Sequence, residues 1–290
     1  IAIFELSGLS LREIDGCDFA RPFIPAAEYI EERARSCVHH DDLWQLIHRG
    51  SYPALYASDA DTQLFYASYV QTYLQRDVND LLKVKDRLKF LRFLTAMAAR
   101  TGQLLNYSKL AEQADISLAT AREWTSVLEA SGIIYILPPF SNSALRRAIK
   151  TPKLYFRDTG LVCFLTKYPS PETAMNGALA GELFETFVVS EVLKSFSNAA
   201  ADYRMSVSYY RGKDKAAGRE AEIDLLIEDA DTIYPVEIKL TANPKLAMTN
   251  AFDTLDKVKG KKRGTGILLC MYDKPLWLNE KTIALPVEYI

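Results

Sequence analysis

Residues 222 to 239 read EIDLLIEDADTIYPVEIK, two runs of alternating charged and aliphatic side chains joined by a turn-forming DAD. Side chains alternate faces along a strand, so the pattern commits this stretch to a β-hairpin. Glu222 and Asp224 are expected on one face, with Ile223, Leu225 and Ile227 on the other. A turn centred between Ala230 and Asp231 sets Asp224 opposite Glu237 and Glu222 opposite Lys239, with the α-carbons of each pair roughly 4.5–5.5 Å apart. Two carboxylates that close can share one cation, and Mg²⁺ takes oxygen at about 2.0–2.1 Å while keeping several waters. A lysine on the same face can orient such a water or stabilise a charged phosphoryl transition state. This layout suits metal-assisted phosphodiester hydrolysis. An ordinary half-exposed hairpin shows the same alternation, with Glu222 and Lys239 as a cross-strand ion pair, and Pro235 can slip the register by one.

The surrounding chain is large enough to bury a real core: 290 residues, 49% of them hydrophobic, accommodate two or three modest domains. With 35 Lys plus Arg against 37 Asp plus Glu, nucleic-acid binding has to come from local patches. Cys17, Cys37, Cys163 and Cys270 lie far apart without a C-x-x-C pair, which argues against a zinc site or a disulfide scaffold and for a reducing, cytoplasmic setting. No apolar run approaches the roughly 20 residues that span a bilayer, so no membrane partner is expected. A start at Ile1 rather than Met leads us to expect a piece of a longer protein.

Periodicity divides the chain into four parts. Residues 1–25 hold a short strand, IAIFEL, and an irregular segment, too little to fold alone. Residues 26–85 read as a helical linker in which Leu64, Tyr66 or Ala67, Val70, Tyr73 or Leu74, Val78 and Leu81 recur at helix spacing. Residues 86–150 give a helix, then a short helical face (Leu110, Ala111, Ala114), a turn with Ser117 as N-cap, a second helix around Trp124, and the β run IIYILPPF. That order outlines a winged helix. Residues 151–290 alternate strands and helices, with an apolar stripe of Phe184, Val188 and Val192, as in an α/β domain with a mixed sheet. The expected fold class is therefore α+β and multidomain.

The spacing of Asp224, Glu237 and Lys239 resembles the signature of the PD-(D/E)XK nuclease superfamily, in which a helix glutamate completes the site. The matching helix here is GELFETFVVSEVL, so the resemblance carries that role to Glu185, with Glu182 the weaker candidate. Ile223 stands where the superfamily name has proline. SYVQTYLQRDV, TAREWTSVLEASGIIYILPPF and KTPKLYFRDTGLVCFL resemble, in order, prokaryotic AAA-type ATPases that end in the domain of unknown function 4143. The resemblance implies an N-terminal P-loop ATPase, a winged helix and a restriction-endonuclease-like α/β domain, with residues 1–25 a remnant of the ATPase part. The sequence departs from the family at one decisive point: it contains no G-x-x-x-x-G-K-S/T, so ATP is expected only through a missing N-terminal domain and ATPase activity is not expected of this chain.

For other cations and candidate ligands, functional roles compete with plainer ones. The second helix of the winged-helix segment carries only Arg122, which is poor for DNA reading, whereas Arg146, Arg147, Lys150, Lys153 and Arg157 beyond the β run can reach a phosphate backbone. Lys261, Lys262 and Arg263 form a second basic cluster beside the expected acidic site. His39 and His40 precede Asp41 and Asp42, but adjacent helical residues point about 100° apart, and the aspartates suit a helix N-terminus. The leading expectation is the C-terminal part of an AAA-family ATPase, DNA-associated, with a Mg²⁺- or Mn²⁺-dependent deoxyribonuclease-like site: Asp224, Glu237 and Glu185 as metal ligands and Lys239 as orienting or charge-stabilising group. The alternative is a non-catalytic nucleic-acid or protein recognition module regulated by the missing ATPase, with the oligomeric state open.

Overall fold

The computed structural model describes residues 6–73, 87–141, 150–214 and 219–290. In chain order the elements are α1 (Leu11–Ile14), α2 (Ala27–Arg33), α3 (Leu43–Arg49), α4 (Pro53–Ala57), α5 (Thr62–Tyr73), α6 (Arg87–Ala98), α7 (Tyr107–Ala114), α8 (Leu118–Ala130), β1 (Ile134–Leu137) and β2 (Lys153–Phe156). They continue as α9 (Thr159–Leu165), α10 (Pro171–Met175), α11 (Ala180–Asn198), α12 (Tyr203–Ser206), β3 (Val207–Asp214), β4 (Arg219–Asp229) and β5 (Thr232–Lys239). A 3₁₀ segment (Leu246–Lys257), β6 (Lys262–Arg263), β7 (Gly266–Cys270), β8 (Leu276–Asn279) and β9 (Thr282–Pro286) complete the α+β fold. The chain packs as two compact units, Asp42–Ile136 with Pro152–Phe187, and Ile1–Asp41 with Leu137–Thr151 and Val188–Ile290.

The first unit is mainly helical. Several of its helices begin at polar caps that accept otherwise orphaned backbone N–H groups, among them Asp42 before α3, Asn106 before α7, Ser117 before α8 and Asp158 before α9. Helices α6 to α8 close on an aromatic core in which Trp124 meets Phe90 and Phe93 edge-on at 5.0 and 5.4 Å. Strands β1 and β2 form a two-stranded sheet beyond them. Along α5 the expected inward stripe needs correction, because Leu64 is 68% exposed while Tyr66, Val70 and Tyr73 are buried. The Tyr66 hydroxyl donates to Asp158 Oδ1 at 2.7 Å, with the Arg49 carbonyl 3.0 Å away sharing the same proton, and this contact sets the rotation of the helix. Gly50, at φ +79°, lets the chain pass this spot, since a Cβ there would strike the Tyr66 hydroxyl and the Asp158 carboxylate. Val78 and Leu81 lie outside the described residues.

The second unit is built on a seven-stranded mixed sheet of order β3-β4-β5-β7-β9-β8, with β6 also pairing β5. Strands β3, β4 and β5 are antiparallel, β5, β7 and β9 run parallel, and β8 returns antiparallel to β9. The N-terminal segment has little structure of its own and is tied to this unit. The Leu11 amide donates to Glu191 at 2.8 Å, the Phe23 amide to Ser195 Oγ at 2.9 Å, and Arg12 Nε to the Ile290 carbonyl at 2.9 Å. Leu246–Lys257 winds as 3₁₀, and the Thr249 and Thr254 hydroxyls each bond a carbonyl three residues back, which suits the tighter winding. Lys262 and Arg263 pair in parallel with Thr232 and Ile233.

Candidate functional site

The β4–β5 ladder runs from Asp229 opposite Thr232 to Leu225 opposite Val236, the register expected from a turn between Ala230 and Asp231. Pro235 sits inside it without a slip, opposite Leu226. The face assignment, in contrast, needs correction. Ser208 of β3 partners Leu226, whereas Tyr210 partners Ile223, so two residues of β4, Asp224 and Leu225, stand against the single Tyr209. This β-bulge breaks the period of two, and Ile223 packs in one hydrophobic cluster with Leu226 instead of alternating with it. A bulge re-aims side chains, and the one beside it here is Asp224.

Past the end of the β4–β5 ladder, Asp224 Oδ2 accepts the Ile238 amide at 2.9 Å, so a carboxylate takes a strand donor that has left its β4 partner. Glu237 and Lys239 share a face of β5, and strand β7 supports them by pairing Glu237 with Leu268 and Lys239 with Cys270. Lys239 Nζ lies 2.6 Å from Glu237 Oε1 and 3.6 Å from Asp224 Oδ2. The two acid side chains are 10% and 9% exposed and the lysine 42%. Two desolvated carboxylates thus meet at an ammonium whose stem opens to water. The β4–β5 ladder ends at Leu225 and Val236, short of the pairs expected at Asp224–Glu237 and Glu222–Lys239, and on the other side of β4 Glu222 lies opposite Arg211 of β3.

Glu185 belongs to the helical unit, on the first half of α11. There it accepts from the Tyr155 hydroxyl at 2.5 Å and from Lys153 Nζ at 3.3 Å, both on one face of β2. Lys153, expected among DNA-facing cations, needs correction: it is buried, its side chain only 5% exposed. Sequence reasoning missed this grouping, although the alternation of Lys153 and Tyr155 in KLYF was the available signal. Among the described residues no group of three or more His, Cys, Asp or Glu side chains gathers as a metal-holding set. The hairpin offers two oxygen donors, which fits a hard cation that keeps most of its waters.

The other candidates are bound up locally. Lys261 pairs with Glu228 at 3.0 Å, Lys262 with Asp231 at 3.2 Å, and Arg263 with Asp253 and Asp256 at 2.9 and 3.2 Å. A phosphate would have to compete with these acids. Lys150 is exposed and donates to the Arg211 carbonyl at 3.2 Å, while Arg146 and Arg147 lie outside the described residues. His40 contacts Asp15 at 3.2 Å, His39 lies 3.4 Å from Glu288, and Asp42 caps α3. Cys17, Cys37, Cys163 and Cys270 are free thiols, and burial pushes the Cys37 thiol up to about 11. Among the described residues no helix is long and apolar enough to cross a membrane.

Comparison with known proteins also divides the chain in two. Residues 180–290, which contain the hairpin site and Glu185, match the family model described as domain of unknown function DUF4143. Residues 40–172 match a second, domain of unknown function DUF8612, and neither describes a P-loop ATPase. Uncharacterised proteins of Mycobacterium tuberculosis and Mycobacterium bovis are each 26% identical over 249 residues, or 85% of this chain. The chain spans about half the length of these relatives, 48% in each case.

Proposed function

We propose that the sheet-bearing part of this chain is a DNA-associated, divalent-cation-dependent phosphodiesterase of restriction-endonuclease-like architecture. The observation that carries this reading is the meeting of buried Asp224 and Glu237 at the Lys239 ammonium, beside a bulge that turns Asp224 out of the strand alternation. In this reading Asp224 and Glu237 hold Mg²⁺ or Mn²⁺, which when bound polarises a phosphoryl oxygen and lowers the pKa of a coordinated water. Lys239 orients the nucleophile or offsets charge developing on the phosphate. Glu185 joins the assignment by resemblance alone, with Lys153 and Tyr155 holding its carboxylate. Helices α6 to α8 with the small β1–β2 sheet suit a winged helix that presents DNA. The relatives are about twice the length that the chain covers, which leaves room for a further domain, and the resemblance to AAA-type ATPases makes this chain the C-terminal part in our reading.

The internal pairing of Lys261, Lys262 and Arg263 favours the second reading, a recognition module without catalysis. The two separate cleanly. Phosphodiesterase action requires that Mn²⁺ stabilise the wild-type chain, by about 2.7 kcal/mol at a hundredfold excess over the dissociation constant, read as a rise in its melting temperature. It also requires Mn²⁺-dependent nicking of plasmid DNA that Asp224→Asn abolishes. A chain that melts identically with Mn²⁺ and with chelator, and cuts no DNA, is the recognition module.

A further inference from the structure

We infer that Lys239 is the resident counter-ion of the hairpin site, and that a divalent cation can enter between Asp224 and Glu237 only as the lysine ammonium leaves. The inference rests on the metal reading above and assigns the site its regulation. The ammonium nitrogen stands 2.6 Å from Glu237 Oε1 and 3.6 Å from Asp224 Oδ2. A Mg²⁺ or Mn²⁺ ion shared by the same oxygens, at about 2.0–2.2 Å, would lie within roughly 5 Å of that nitrogen, where the repulsion of like charges is strong. One partner has to move, and the structure distinguishes which. Asp224 is fixed by the Ile238 amide and by its place at the bulge, and Glu237 is buried on a strand paired along its edge to β7. Lys239 is the most open of the three side chains, and its four-carbon stem can swing to solvent.

Before metal arrives, the ammonium offsets the repulsion between the acids and keeps the pair assembled. Once displaced, the same ammonium becomes available to an anion at the mouth of the site, such as a phosphodiester oxygen. By reciprocity of linked equilibria, a phosphate that receives Lys239 tightens metal binding. The lysine therefore couples cation entry to phosphate entry.

The test is calorimetric titration of Mn²⁺ into the wild-type chain, Lys239→Met and Lys239→Arg, without DNA. Removal of the competing charge should tighten Mn²⁺ binding by about tenfold or more in Lys239→Met, a modest figure because water screens the half-open lysine, while Lys239→Arg stays near wild type. On the wild-type chain, saturating Mn²⁺ should raise the reductive methylation of Lys239 measured by mass spectrometry, a readout that needs no variant to fold. Binding by Lys239→Met that is no tighter than wild type, or methylation unchanged by Mn²⁺, overturns the inference and leaves the metal reading intact. If neither wild type nor variant binds Mn²⁺, the metal reading itself fails and the inference falls with it.

Discussion

Two of the lysine–carboxylate groupings in this molecule, at Lys239 and at Lys153, are built in opposite ways. At Lys239 the acids are buried and the ammonium is 42% exposed; at Lys153 the ammonium is 5% exposed and its Glu185 partner 18%. A charge with an open stem can exchange partners at small cost, whereas a desolvated charge is bound to the partners it folded with. The first arrangement suits a site that must admit ions, and the second a fixed strut between β2 and α11. Substitutions at the two lysines should therefore diverge. Lys153→Met is expected to destabilise the chain by about 2–4 kcal/mol, toward the lower part of the range for a broken buried pair because Glu185 touches water. Lys239→Met in chelator takes the lysine counter-ion from two buried carboxylates and should cost about 3–5 kcal/mol, but Mn²⁺, as a replacement counter-ion, should restore most of that loss while leaving Lys153→Met unchanged. Urea unfolding of both variants with and without Mn²⁺ measures the contrast, and an equal response to metal would erase it.

The next effect in size sharpens the strut. Tyr155 is buried and its hydroxyl gives Glu185 the shorter of the two bonds, 2.5 Å against 3.3 Å. Tyr155→Phe removes a charge-assisted hydrogen bond while keeping the ring's packing, so the expected loss is about 1–2 kcal/mol with little change in the cooperativity of unfolding. A loss much larger than this would mean that the hydroxyl organises more of β2 than Glu185 alone. If Lys153 and Tyr155 act as one unit, the double variant should lose less than the sum of the singles, since residues bonded to a common carboxylate are coupled.

The same contrast explains what could be read without coordinates. The β4–β5 register was legible because the turn and the alternation both act over neighbouring residues, and it placed Glu237 and Lys239 on one face of β5. The N-caps Ser117 and Asp42 were legible for the same reason. The bulge at Asp224 was not, because the second residue opposite Tyr209 is dictated by β3, a strand whose pairing the hairpin pattern does not encode. The exposure of Leu64 is likewise set from far away, by a hydroxyl–carboxylate bond between Tyr66 and Asp158. Lys153 misled for a further reason: a lysine after the β run reads as a surface cation unless the glutamate that neutralises it, 32 residues on, is already in view. Interactions across long sequence separations decide which of two chemically reasonable roles a residue takes.

The smallest expected effect tests whether an exposed carboxylate can also act as a strut when its partners are hydrogen bonds instead of an ammonium. Glu13 closes a capping box on α1: its Oε2 accepts from the Ser10 amide and hydroxyl, both at 2.8 Å, and from Asn198 Nδ2 at 2.9 Å. Partial burial pushes its pKa up, but the Ser10 and Asn198 hydrogen bonds and the charge of Lys194 outweigh that and hold it below the ordinary 4.5. A folded-state pKa below the unfolded one means that the native chain binds fewer protons, so this contribution is full above the unfolded value and fades as pH falls through the folded one. Glu13→Gln should therefore cost about 0.3–0.5 kcal/mol near neutrality, a figure reduced for the exposure of the side chain, and progressively less in acid. Urea midpoints of the two proteins measured from about pH 7 down to about pH 3 should converge; curves that coincide throughout would show that the amide caps the helix as well as the carboxylate, and curves parallel at a fixed offset would show that charge contributes nothing at this end of the chain.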